Sequence, residues 1–246
     1  IINGKAENVV LNNGKKIPAD LVICNADPPT VYSEMLPSEY SRDSLLKPKK
    51  FTHYSMGLYV LFFGSKKKFS DVAHHTIWMS ERYKELLHDI FEKKILTEDF
   101  SLYLHRPTAT DDTFAPEGCD SFYVLCPVPN LQGNVQWNSE GPKLKDRIVE
   151  ALDKTIMPGL KENIEAEFWM TPEDFKNDYR SKYGAGFSVA PIFSQSAWFR
   201  YHNKDKKIPN LYFSAAGSHP GAGIPGVLCS AKVIEKLIIK DFKVSH

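Results

Sequence analysis

Residues 211–227 read LYFSAAGSHPGAGIPGV. Leu211 to Ala216 is an apolar run that suits a strand, and it passes into a segment with glycine at positions 217, 221, 223 and 226. Val227, Leu228, Ala231, Ile234 and Ile238 then recur at helical spacing, so strand, glycine loop and amphipathic helix follow in order. The glycines remove side chains that would keep backbone N–H groups away from a ligand. Pro220 and Pro225 stiffen the path, and the helix turns its positive dipole end back toward the loop. Such a loop fits a pyrophosphate, or the electron-rich edge of a flavin, which gains negative charge on reduction. A tight structural turn before a helix would use the same residues, and spacing alone leaves both readings open.

Working outward, residues 20–24 (DLVIC) are a short apolar run stopped by Pro28 and Pro29, which predicts a strand buried on both faces of a parallel sheet. Val9, Val10, Leu11 and Ile17 flank Asn13-Gly14, a pair that tolerates the positive φ of a tight turn, and a β-hairpin is predicted there. Apolar, β-branched and aromatic density at residues 52–63, 101–105 and 121–127 predicts strands of a separate mixed sheet. Ser80 is placed to cap a helix carrying Tyr83, Leu86, Leu87, Ile90, Phe91 and Ile95 on one face. Leu144, Ile148, Leu152 and Ile156 predict a second helix ended by Pro158-Gly159. Thr171-Pro172-Glu173-Asp174 begins a third, with Thr171 as its cap.

Lys and Arg number 31 against 30 Asp and Glu, so no basic surface is set up to neutralise phosphates, which argues against a nucleic-acid partner. The four cysteines, at 24, 119, 126 and 229, lack metal-ligand spacing and read as reduced, mostly buried thiols of a cytosolic protein. His74-His75 and His105-Arg106 show no ligand spacing either, read as structural, and no metal is expected. Lysine runs at 66–68 and 204–207 read as solvated faces. No stretch approaches the ~20 consecutive apolar residues of a membrane-spanning helix. The chain opens on Ile1 in the middle of a strand pattern and reads as part of something longer.

The 217–226 loop resembles the C-terminal FAD-contacting motif of bacterial-type phytoene desaturases, in which a strand leads into Gly-Thr-His-Pro-Gly-Ala-Gly-Ile-Pro-Gly. Ser218 stands here where Thr is usual and keeps a hydroxyl. Residues 183–203, YGAGFSVAPIFSQSAWFRYHN, resemble the family's Gln-Ser-Ala-Trp-Phe-Arg signature, and residues 99–131 are also similar to its pattern. The resemblance implies an α/β fold: part of a doubly wound FAD-binding domain, interrupted by a substrate domain with a mixed sheet and flanking helices. Residues 1–27 and 206–246 would belong to the first and residues 28–205 to the second. FAD would contact Gly217, Ser218, His219, Pro220, Gly221, Ala222, Gly223, Ile224, Pro225, Gly226 and Val227. The family's N-terminal Gly-x-Gly-x-x-Gly turn and its ribose-holding acidic residue are not in this chain, which alone is expected to bind FAD weakly or not at all and to be inactive.

The implied activity is dehydrogenation of phytoene or a related carotenoid precursor, with hydride passing from an allylic carbon to flavin. The implied partners are a hydrophobic polyene and a membrane surface, for a cytoplasmic protein held peripherally at the membrane. Gln195, Trp198, Phe199 and Arg200 are candidates to line the substrate path, although Arg200 suits a structural role as well and the rings suit core packing. His219 reads as a backbone partner rather than a proton carrier, and no catalytic acid–base pair stands out. The helix near residues 83–95, with Lys84, Lys93 and Lys94, suits either a lipid surface or packing on its own sheet. Other readings are a non-catalytic relative acting as a binding module, a carotenoid isomerase or an amine-oxidising flavoenzyme; the intact glycine loop counts against the first.

Overall fold

The computed structural model describes residues 1–40 and 52–243. In chain order the elements are β1 (Asn8–Val10), β2 (Lys16–Pro18), β3 (Val22–Cys24), α1 (Pro28–Thr30), β4 (Gly57–Ser65), β5 (His75–Trp78), α2 (Tyr83–His88), β6 (Leu102–His105), β7 (Asp120–Val128), α3 (Trp137–Lys154), α4 (Leu160–Asn163), β8 (Ile164–Met170), α5 (Pro172–Asn177), β9 (Leu211–Phe213) and α6 (Ile224–Phe242). They fall into two compact units. The first comprises Ile1–Ser55, Tyr179–Lys182 and Phe187–His246, and the second Met56–Asp178 and Tyr183–Gly186.

In the first unit β1 and β2 form the expected antiparallel hairpin, with Gly14 at φ 81 in the turn. β3 pairs parallel with β9, Ile23 opposite Tyr212, in agreement with the reading of residues 20–24. The burial expected on both faces is not met, since Ile23 is 51 % exposed. Among the described residues this sheet has two strands, which leaves β3 as an edge. β9 is the buried partner, and Phe213 packs with Val31, Tyr32, Ile208 and Leu211. The Asn210 side chain accepts from the Ala6 N–H and donates to the Ala6 and Asp20 carbonyls, which ties the strand to residues on either side of the hairpin.

The second unit is a five-stranded sheet in the order β5-β6-β7-β4-β8. The sheet expected to be mixed is antiparallel at every described pair. β4 lies between β7 and β8 and opposes both, so those two strands run in the same direction with one strand between them. The chain between strands that run the same way must cross over, and α3 provides the length. Leu144, Ile148 and Leu152 of α3 are fully buried and pack with Tyr59, Leu61, Phe63, Phe122, Val124 and Cys126 in one core. Burial of each such aliphatic chain is worth about 1.5–3 kcal/mol. Desolvation pushes the Cys126 thiol up to about 12. The cysteines are not mostly buried as expected: Cys24 and Cys119 are half-buried, and Cys229 is exposed on α6.

Three helices test the local signals. α3 starts at Trp137, well before Leu144, and ends at Lys154, so Ile156 lies beyond it. Ser80 does not cap α2: the N-cap is Arg82, while the Ser80 hydroxyl accepts from the Arg82 N–H and donates to Asp99. The helix predicted to reach Ile95 gives way to a π turn at Asp89–Lys93, closed by Lys94 at φ 55. Leu86 and Ile90 are buried, whereas Tyr83 and Ile95 at the two ends of the stripe are exposed. α5 carries the predicted cap in full, with the Thr171 hydroxyl accepting from the Glu173 N–H and the Asp174 carboxylate accepting from the Thr171 N–H. Thr171→Val is expected to lower stability by about 1 kcal/mol in chemical denaturation. An unchanged midpoint would show that the cap contributes nothing.

Candidate functional site

The loop after β9 is held by buried polar contacts before it reaches its exposed tip. Ser218 is fully buried; its hydroxyl donates to the Ala215 carbonyl at 2.8 Å, accepts from the Ala215 N–H at 2.9 Å and lies 3.1 Å from the Ser230 hydroxyl on α6. Asn203 donates to Ser230 Oγ at 2.7 Å, to the His219 carbonyl at 2.8 Å and to the Phe213 carbonyl at 3.1 Å. Strand, loop and helix are thereby joined through one amide.

Arg200 is 5 % exposed and acts on the same loop. Its guanidinium donates to the Ala216 carbonyl twice, at 3.0 and 2.8 Å, and to the carbonyls of Phe187 and Gln195. Asp27 supplies opposing charge nearby, and it accepts from the Ser188 hydroxyl and from the Lys182 N–H. Burial pushes the Asp27 carboxyl up, while those two hydrogen bonds and the charges of Arg200 and Lys182 pull it back. Gly217 lies against this cluster. A Cβ there would sit 2.5 Å from Ser188 Oγ, 2.7 Å from Pro28 Cδ and 3.1 Å from Asp27 Oδ1, so no larger residue fits.

Beyond this anchor the chain opens. Gly223 has φ 87, a conformation that glycine adopts without strain. A Cβ on Gly226 would come 2.6 Å from the Gly221 carbonyl, so the first turn of the helix closes directly onto the loop. α6 begins at Ile224, before the expected Val227, with Pro225 in its first turn where a missing N–H costs no helical bond. Val227 N–H to Gly223 carbonyl is the first helical bond, which leaves the Ile224 and Gly226 N–H groups without intrahelical acceptors. His219 adds a buried ring nitrogen, Nδ1, that has no hydrogen-bond partner. Open glycine backbone, free first-turn N–H groups and an unpaired imidazole nitrogen together suit an electron-rich ligand.

The signature residues divide by environment. Gln195 is 2 % exposed, and its amide bonds both the N–H and the carbonyl of His53 and the Ala190 carbonyl. Trp198 and Phe199 are 67 % and 56 % exposed, and the Trp198 ring lies 6.1 Å from that of His219. Asp27, Ser188 and Asn203 did not stand out in the sequence, since their partners lie far along the chain.

In the second unit, sequence reading did not anticipate the sheet face opposite α3. Cross-strand register aligns His75, His105, Tyr123, Phe62 and Phe168 in one row across all five strands. Phe62 and Phe168 stack at 4.5 Å, and Phe62 meets Tyr123 at 6.0 Å. The neighbouring row is Ile77, Tyr103, Leu125, Val60 and Met170. Phe62, Tyr123, Ala166 and Phe168 help line an open concavity of about 360 Å³ on this face.

The flavin containing amine oxidoreductase family matches residues 3–233. Phytoene desaturase (lycopene-forming) of Pantoea ananas is 45 % identical over 241 residues, covering 96 % of this chain and 48 % of that protein. Phytoene desaturase (neurosporene-forming) of Rhodobacter capsulatus is 43 % identical over 244 residues, with 96 % and 46 % covered. The chain therefore spans about half the length of the curated relatives it matches. An oxidoreductase from Methanosarcina mazei is similar in fold, with TM-score 0.56 and 17 % identity over 96 % of this chain and 47 % of that one. Because the family model runs through both units and takes in nearly the whole chain, the chain belongs to the flavin containing amine oxidoreductase family.

Proposed function

We propose that the chain is part of an FAD-dependent desaturase that dehydrogenates phytoene or a related carotenoid precursor. The observation that carries this reading is the anchored glycine loop of residues 217–226, which presents bare backbone and the amino end of α6. FAD bound there would supply the acceptor for hydride lost from an allylic carbon, the proton on the neighbouring carbon being released to water as the double bond forms. Gly221 and Gly223 keep side chains out of its way, and the N–H groups of Ile224 and Gly226 offer donors to its electron-rich edge. Ser218, Asn203 and Arg200 act behind the loop and fix its position rather than touching the ligand.

The first unit, which takes in residues 28–55, 179–182 and 187–205 beyond the 1–27 and 206–246 expected for it, would belong to the FAD-binding domain and the second unit to the substrate domain. At the β4–β8 end of the row the stacked rings of Phe62 and Phe168 form an aromatic wall of the kind a rigid polyene can lie against. Trp198 and Phe199, exposed in the first unit, are further candidates for polyene contact. A lipid-dissolved substrate favours peripheral contact with a membrane on the cytoplasmic side, and no helix among the described residues is long and apolar enough to cross one.

The test is expression of the full-length protein, including the part that corresponds to the half of its relatives outside this chain, in a phytoene-producing host. Coloured, conjugated polyenes are expected in the extract, and colourless phytoene alone would overturn the proposal. Phe168→Asp, which puts a charge on the apolar wall, is expected to lower pigment formation about tenfold at unchanged flavin content, a loss of about 1.4 kcal/mol. Unchanged pigment yield would remove this face from the substrate path.

A further inference from the structure

Three histidines meet at the end of the aromatic row. β5 pairs with β6 so that His75 stands opposite His105, and His74 immediately precedes β5. His74 and His105 approach with Nε2 to Nε2 at 3.3 Å. Their ring centroids are 4.6 Å apart at 76°, so the rings converge at an angle instead of meeting end to end. One ring nitrogen from each of the three histidines lies within 4.8 Å of the others. Two imidazoles bound at about 2.0–2.1 Å to a tetrahedral ion stand about 3.3–3.4 Å apart, the separation already present between His74 and His105.

The surroundings fit the same chemistry. Tyr103 Oη lies 2.7 Å from His75 Nδ1; an Nδ1–H donating to that oxygen leaves the Nε2 lone pair free and orients the ring, as outer partners of metal-bound histidines do. The neighbouring Arg106 is buried and turned elsewhere, bonded to the carbonyls of Phe69 and Val72 and 3.2 Å from Asp120. The cluster contains no carboxylate or thiolate, and an all-imidazole set selects zinc, copper or nickel over magnesium or calcium.

We propose that His74, His75 and His105 bind one divalent ion of this borderline class, Zn²⁺ foremost, with a water in the fourth position. The ion would tie β5, an edge strand of the sheet, to β6. Sequence spacing hides the site because two of its ligands are adjacent and the third arrives only through strand pairing.

The test uses untagged full-length protein stripped of metal and titrated with Co²⁺. One ion per chain is expected, with the strong visible absorption of four-coordinate cobalt, displaced by one equivalent of Zn²⁺. His105→Gln is expected to abolish that absorption, and Tyr103→Phe to weaken Zn²⁺ binding about 10–100-fold. Absence of the four-coordinate spectrum, or its persistence in a variant with all three histidines replaced by glutamine, would overturn the proposal. A readout independent of the variants comes from imidazole NMR signals of the wild-type protein. Zn²⁺ should perturb those of His74, His75 and His105, and perturbation confined to other histidines would overturn the assignment.

Discussion

Arg200→Met is expected to destabilise the first unit by about 3–5 kcal/mol and to strip flavin from the full-length protein. The side chain is 5 % exposed and donates to three backbone carbonyls, of which Ala216 sits one residue before the glycine loop. Methionine fills similar volume without a donor. It leaves those carbonyls unpaired and removes the charge that opposes Asp27 in a buried setting. Removing one member of a buried charged network is costly mainly because of what remains unpaired. Arg200→Lys keeps the charge but not the planar fork and should recover only part of the loss. Chemical denaturation combined with flavin absorbance separates the outcomes: full stability and full flavin content in Arg200→Met would show that the clamp is dispensable.

Gly217→Val is expected to be comparably severe, at about 3–5 kcal/mol, by overpacking together with loss of buried hydrogen bonds. The contacts a Cβ would meet are Ser188 Oγ, Pro28 Cδ and Asp27 Oδ1, all within 3.1 Å and none at the end of a long flexible chain. Relief requires the loop to lift or the Asp27–Ser188 pair to part, and both disturb the ligand-facing backbone. Gly64→Ala provides the contrast, since no atom lies within 4 Å of the position its Cβ would take. Its stability should change little by comparison. Equal midpoints for Gly217→Val and the wild type would refute the close packing described at the loop anchor.

Local signals in the sequence translated well where neighbours in the chain settle the structure. The Thr171 cap depends on contacts within three residues, and the hairpin turn at Asn13-Gly14 is similarly local. The order of strand, glycine loop and helix at residues 211–242 was legible for the same reason, although Ile224 rather than Val227 begins the helix. Strand pairing was less legible. Apolar density located β4, β6 and β7, but nothing along the chain states that β4 opposes both β7 and β8, and the charged positions of β8 concealed it.

At the candidate site the glycines were visible and their supports were not. Asp27 and Ser188 are 161 positions apart in the chain, and both gain meaning only beside Gly217. Gln195 and Arg200 were recognisable as a signature, while their bonding to backbone carbonyls required the fold. The histidine cluster was hidden for the same physical reason, because strand register brings it together.

If residues 217–226 seat a flavin that accepts hydride from a polyene, reduction of that flavin must accompany phytoene consumption. The most direct measurement is the visible absorbance of the purified full-length protein, mixed with phytoene in detergent under anaerobic conditions and without another electron acceptor. Bound flavin whose visible band bleaches as phytoene is consumed is the expected result. Protein that carries no flavin, or flavin whose band stays unchanged while phytoene remains intact, would contradict it.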